Sequence, residues 1–282
     1  MAIRTSAERP AKKPARWPMM WPASGTTPVP SVPRRWLVAE VWLVFGLSLG
    51  ASGINALLHL LADLTNGQAL KAQTALLNGS QAPGRPWLDL ALQLTGIAFG
   101  LVPVGLVAHF LIRSGESLHD IGADFREPRI DAAKGAVVAA IVGGAGLAFY
   151  LIVHASGANL TVVPEDLPKV WWRIPVLILS AAQNGTVEEV LVLGYLLRRL
   201  DQLGWSVPWA LVTASAVRGS YHLYQGFGGF AANFVMGLVF GWLFLRWKRV
   251  MPFVIAHTLM DSVAFVGYAE LAGHVSWLPV PH

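Results

Sequence analysis

The sequence predicts an all-α membrane protein, a polytopic bundle of about seven or eight transmembrane helices with its amino terminus in the cytoplasm. Three observations carry that expectation. Hydrophobic residues make up 54% of the 282 and charged residues only 13%, against about 25% charged in a soluble globular chain. The apolar residues fall in runs long enough to cross a bilayer as helix, which takes about 20 residues. The basic residues, finally, sort into alternate connections between those runs.

Taken in order, residues 1–35, "MAIRTSAERPAKKPARWPMMWPASGTTPVPSVPRR", are rich in proline, hydroxyl and basic side chains and lack hydrophobic periodicity. They are expected to form a disordered cytoplasmic tail. The tail is too polar and too long for the charged start of a signal peptide. Seven spans follow, at about 36–62, 87–112, 134–155, 174–199, 206–225, 227–247 and 250–271. The first three, within 36–155, form an amino-terminal group interrupted by a charged cytoplasmic loop at 113–133 that includes "GESLHDIGADFREPRID". The connection at 63–86 is polar and weakly amphipathic, which suits the membrane interface. Residues 156–282 form the second group, where the fifth and sixth spans meet at the glycine-rich turn "YQGFGGF".

Orientation follows from charge. With the amino terminus inside, sixteen of the 21 Lys and Arg residues are cytoplasmic. Lys71, Arg85, Lys169 and Arg173 fall outside, and Arg218 lies within the membrane. The 156–172 connection is then external. The net charge of +5 reflects this topology and attraction to anionic lipid, so the bilayer is the expected partner and nucleic acid is not. Cysteine is absent, which excludes disulfides, zinc–thiolate sites and thiol nucleophiles.

Polar side chains at bilayer depth are the remaining signal. Glu40, His59, Asp89 and His109 lie close to span ends, where a side chain can snorkel to water. Spans four to seven carry a different set: Glu188 and Glu189, Arg218 and His222, Asn233, and His257 and Asp261. An acidic residue at the centre of a span costs about 2.5–3.5 kcal/mol on insertion scales, so something must compensate for it. Arg218 and His222 are four residues apart, as are His257 and Asp261, so each pair is expected on one helical face. Interhelical bonding alone calls for Ser, Thr or Asn, each worth about 0.6–2 kcal/mol; carboxylates, imidazoles and a guanidinium on neighbouring helices point to a shared polar pocket.

The segments "EEVLVLGYL", "RGSYHLYQG" and "HTLMD" resemble the three signature segments of the CPBP family, the CAAX proteases and bacteriocin-processing enzymes also known as the Abi family. The resemblance covers about residues 174–270, with "SLHDIG" a weaker match upstream. It implies a multi-pass intramembrane endopeptidase of the cell membrane, acting on a membrane protein, a peptide or a CAAX-like tail. Glu188 matches the catalytic glutamate, Glu189 its supporting neighbour and His222 the histidine that helps activate water. His257 and Asp261 match the pair that stabilises the oxyanion, Asp261 standing where the eukaryotic CAAX endopeptidase has asparagine. Two positions depart from the pattern: Leu193 replaces the family arginine and Arg218 a phenylalanine. A guanidinium thus sits on the next helix, on the face expected to carry His222, as if the charge had moved across the pocket.

The chemistry agrees with elementary requirements. A glutamate in an apolar cavity is a competent base toward water, His222 can pass a proton to the leaving amine, and His257 can donate to an oxyanion. An ionised Asp261 cannot donate; it is suited either to orienting His257 or to being protonated itself. No cofactor is expected. The alternative, zinc held by Glu188, His222 and His257, is weakened by the absence of an HExxH helix. Two rivals come from other classes. One is a catalytically silent scaffold or sensor, favoured by Leu193; the other is a proton-coupled transporter, disfavoured by the lack of an inverted repeat.

Overall fold

The computed structural model describes residues 32–275 and Leu278. The expected disordered tail lies outside the described residues as far as Ser31, and helix begins at Arg34, directly after Pro33. Helices α1 (Arg34–Gly46) and α2 (Leu49–Thr65) form one pair bent by 51°. At the bend the Ser48 hydroxyl donates to the Val44 carbonyl at 2.5 Å, a local bond that competes with continued helix. α3 (Pro86–Gly100) and α4 (Val102–Arg113) are broken at Leu101, where Pro103 removes the donor that would have bonded back four residues. α5 (Pro128–Val138) runs through a π-helical stretch into α6 (Gly144–Ser156). α7 (Arg173–Glu189) does the same through Val190–Leu196 into α8 (Leu197–Gln202). α9 (Val207–Ser220), α10 (Phe227–Trp247) and α11 (Met251–Leu271) complete the bundle.

Among the described residues, five helical segments are long and apolar enough to cross a membrane, six if the bent α1–α2 pair counts as one span. The fifth of the expected spans is the one that falls short. α9 has 14 residues, about 21 Å of helix, because it ends at Ser220. The turn through Tyr221–Gly226 follows, and there Leu160 N–H bonds the Gln225 carbonyl at 3.2 Å. Gly226 adopts φ +104°, and a Cβ on it would meet Asn159 Oδ1 at 2.5 Å. Only glycine fits that turn.

Two faces result. On one, Arg198 and Arg199 pair with Glu116 at 2.6 and 2.8 Å, Arg199 reaches Glu40 at 3.3 Å, and Arg249 clasps Asp131 at 2.6 Å and Asp124 at 3.1 Å. These bonds gather the 113–133 loop, the α8 end and the α10–α11 turn. On the opposite face two strands pair in parallel, β1 (Thr74–Gly79) with β2 (Thr161–Asp166), from Thr74 opposite Thr161 to Gly79 opposite Asp166. The sequence reading anticipated no strand. Each is six residues long, and Pro164 within β2 argues against a strand on local grounds. Pairing of two distant connections makes both possible, and it puts 63–86 and 156–172 on one side, as the alternating topology requires.

Glu40 and Asp89 do not snorkel. Asp89 is buried and accepts from Ser80 Oγ at 2.6 Å, Gln81 N–H at 3.0 Å and Gln93 Nε2 at 3.2 Å, while Glu40 is buried against Arg199.

Candidate active site

Consecutive residues of an α-helix point about 100° apart, so Glu188 and Glu189 must meet different surroundings. Glu189 points into packing. α7 lies tightly against α11 at Gly185, where a Cβ would meet Thr258 Oγ1 at 2.8 Å and the Val254 carbonyl at 3.0 Å. That close approach lets Glu189 Oε1 accept from His257 Nδ1 at 2.7 Å, and Oε2 accepts from Arg218 Nη2 at 2.6 Å. Both Glu189 and Arg218 are 0% exposed. The guanidinium also lies over the Phe240 ring, 5.7 Å from its centroid, a favourable place for a cation. The helix is π-helical from Val190 to Leu196, directly after the pair, an irregularity found preferentially at functional sites.

Glu188 points into a cavity of about 620 Å³ that Tyr221, His222, His257, Asp261 and Asn184 also line. Its Oε2 accepts from the Tyr221 hydroxyl at 2.8 Å and lies 3.5 Å from Arg218 Nη1. One arginine therefore offsets both carboxylates, bonding the buried one directly.

His222 reaches the cavity by a route the sequence reading did not foresee. It does not share a helical face with Arg218, because α9 ends two residues before it. Its Nδ1 lies 3.0 Å from the Arg218 carbonyl. A carbonyl only accepts, so Nδ1 carries the proton and Nε2 is the proton-accepting nitrogen. Tyr224 stacks on its ring at 6.4 Å. His257 and Asp261 share one face of α11 as expected, with Nε2 3.6 Å from Asp261 Oδ1, beyond hydrogen-bond length. Asn184 Nδ2 donates to Asp261 Oδ2 at 3.3 Å.

Asn233, expected as a supporting residue, is not among the residues lining the cavity. Its amide donates to the Gly229 carbonyl at 3.0 Å, one turn back along α10. Leu193, at the family arginine's position, is buried in the apolar core. Two site residues escaped the sequence reading. Asn184 stands four residues before Glu188, a helical spacing that could have found it. Tyr221 gave no such signal, since its role depends on where α9 ends.

Among the described residues, ligand-type atoms of Glu188, Glu189 and His257 all lie within 4.8 Å of one another; His222, in the zinc trio of the alternative reading, is not one of them. This donor set fits a dication poorly. Arg218 already lies 2.6 and 3.5 Å from the two carboxylates, and His257 Nδ1 is engaged with Glu189.

Residues 170–263 match the family model of the type II CAAX prenyl endopeptidases, described as Rce1-like. The match spans about a third of the chain, takes in Glu188, His222, His257 and Asp261, and supports the CPBP and CAAX protease family that the signature segments resemble. No curated protein and no solved structure matches the chain.

Proposed function

We propose that this Rce1-like membrane protein is an intramembrane endopeptidase of the cell membrane in which Glu188 activates water without a metal ion. The observation that carries the reading is the inequality of the glutamate pair. Both oxygens of Glu189 are engaged by Arg218 and His257, whereas Glu188 takes its hydrogen bond on Oε2 and faces the cavity. A water held between Glu188 and His222 Nε2 attacks the peptide carbonyl, forming the C–O bond as the carboxylate takes the water proton. His257, protonated on both nitrogens with Nδ1–H held by Glu189, donates from Nε2 to the developing oxyanion, while Asp261, steadied by Asn184, orients that ring. Collapse breaks the C–N bond, and the proton taken up by Glu188 passes by way of His222 Nε2 to the leaving amine, returning both side chains to their starting state. Glu189 and Arg218 position these groups, Glu189 through His257 and Arg218 beside the Glu188 carboxylate.

A second reading has one observation behind it. The Arg218–Glu189–His257 array satisfies both Glu189 oxygens without any substrate, so a scaffold without activity could retain it. Glu188→Gln separates the two readings. It keeps shape and burial but removes the base, so cleavage falls by about 10²–10⁴-fold with little change in melting temperature. New protein amino termini are to be mapped by proteomics in membranes carrying the wild-type chain or Glu188→Gln. Termini that depend on Glu188 and persist after treatment with a strong chelator support the proposal. Termini equally abundant in both membranes favour the scaffold, and loss on chelation with recovery on added zinc overturns the metal-free mechanism.

A further inference from the structure

We infer that the site is entered from the extracytoplasmic side of the membrane, and that its substrate is an extended polypeptide segment presented there rather than a cytoplasmic, prenylated tail. The inference rests on the protease reading and adds the direction of access and the substrate class. Three independent observations combine in it.

The first is what lines the cavity, which the α1–α2 bend and the α3–α4 break border at Leu47 and Phe99. Beyond the catalytic groups its wall includes Leu76, Leu77 and Asn78 of β1, Gln81 just after it, and Tyr224 and Gln225 in the turn bonded to β2's approach. From α7 come Ser180, Gln183, Asn184, Val187 and Glu188, in the part of the chain that descends from the strand side. The strand platform is fastened to this rim. Asn78 donates to the Pro164 carbonyl at 2.8 Å and accepts from Ser180 Oγ at 2.9 Å, and Gln93 donates to the Gly79 carbonyl at 2.9 Å. The 113–133 loop, the α8 end and the α10–α11 turn contribute nothing to the lining.

The second is what lies on the other side of Glu188. Between it and the face holding those loops sits the larger apolar core, with Leu111, Ile121, Leu191, Leu193, Phe244 and Phe253 each exposed by 1% or less. Such interiors are packed as densely as organic crystals. A peptide cannot reach the glutamates through them.

The third is charge. Among the described residues, eleven Lys and Arg belong to the face away from the strands: Arg34 and Arg35, four in 113–134, Arg198 and Arg199, and three at the α10–α11 turn. Four belong to the strand face: Lys71, Arg85, Lys169 and Arg173. The positive-inside rule assigns the first face to the cytoplasm, so the cavity mouth is outside. Chemistry then narrows the substrate. Six amide side chains line the cavity, those of Asn78, Gln81, Gln93, Gln183, Asn184 and Gln225. An amide carries both a donor and an acceptor; Asn78 is committed to the strand platform, while the side chains of Gln81 and Gln183 are there to meet the alternating N–H and C=O groups of an extended peptide.

The absence of cysteine makes the test direct. Single cysteines are placed in the full chain at Gln183, inside the cavity, at Gln81 on its rim, and at Arg126 in the opposite loop as control, and intact cells are treated with a membrane-impermeant maleimide. Gln183→Cys and Gln81→Cys should label in intact cells, and Arg126→Cys only after permeabilisation; Gln81→Cys keeps the test valid should Gln183→Cys fail to fold. The Glu188-dependent termini should map to extracytoplasmic segments. Labelling of Arg126→Cys in intact cells, with Gln183→Cys and Gln81→Cys protected, overturns the inference, as do Glu188-dependent termini in cytoplasmic tails; both leave the protease reading standing. Outside labelling with no Glu188-dependent terminus has the opposite effect: it supports the access route and sinks the protease reading.

Discussion

Two regions of this molecule bury arginine against a pair of carboxylates, and they differ in one respect. At the basic face Arg249 bonds Asp131 through Nε at 3.0 Å and Nη2 at 2.6 Å, and Asp124 at 3.1 Å. Both carboxylates there are used to hold the 113–133 loop to the α10–α11 turn. In the interior of the bundle Arg218 bonds Glu189 and only approaches Glu188, whose carboxylate is left facing a cavity. A saturated carboxylate is a fastening; a half-engaged one beside space for a water and a peptide is equipped for chemistry. The two arginines should therefore fail differently.

Arg218 has the larger expected effect. Arg218→Phe restores the residue the family pattern carries there but leaves Glu189 buried and without its cation. Breaking a buried pair in this way costs about 3–5 kcal/mol, and cleavage should be lost with it, because Glu188 and the His222-bearing turn lose a shared anchor. Adding Leu193→Arg rebuilds the family arrangement in the same buried space and should recover part of both. Melting temperature and Glu188-dependent cleavage are the readouts. An Arg218→Phe variant as stable and active as wild type would erase the distinction between the two regions.

Arg249→Ala should cost less, about 1.5–3 kcal/mol as lost charged hydrogen bonds, and leave cleavage per folded molecule unchanged. It also has a pH signature. The bond from Arg126, with a further one from Arg249, holds the Asp124 carboxyl well below its ordinary value of 3.8. A carboxyl depressed in the folded state adds stability above that ordinary value and loses it as pH falls through the folded one. The wild type should thus lose this contribution progressively below pH 3.8, and Arg249→Ala should show a shallower loss in melts across that range. Identical acid profiles would mean that Arg249 adds nothing to the hold that Arg126 has on the Asp124 carboxyl.

The difference between the regions was partly legible in the sequence. Glu188, Glu189, His257 and Asp261 stood out because charge at bilayer depth demands a reason, and their spacing survived because α7 and α11 remain helical through them. Arg218 was traceable through the missing family arginine at Leu193. What escaped was set by long-range contact. β1 and β2 exist through pairing between connections far apart in the chain, and neither has the length or composition to announce itself. His222 was assigned to the right pocket by the wrong geometry, since nothing local marks the end of α9 at Ser220. Tyr221 gained its contact to Glu188 from that same ending.

The smallest expected effect concerns the two asparagines. Asn233 was expected near the site from its depth alone, yet its amide bonds the Gly229 carbonyl within its own helix and does not line the cavity. Asn184 gave no such expectation, yet it lines the cavity and donates to Asp261. Asn233→Ala removes one neutral bond to a carbonyl of its own helix, so stability should fall by about 0.5–1.5 kcal/mol at most and cleavage should not change. Asn184→Ala removes a bond of ordinary strength too, but one that steadies the residue beside His257 Nε2. Its stability cost should be similar, and its cleavage rate should fall while substrate affinity holds, because only the orientation of the oxyanion donor is disturbed. Measured side by side, kcat and KM decide the matter: a matching loss of kcat in Asn233→Ala would show that the working site extends into α10, and equal indifference in both would remove Asp261 from the orientation of His257.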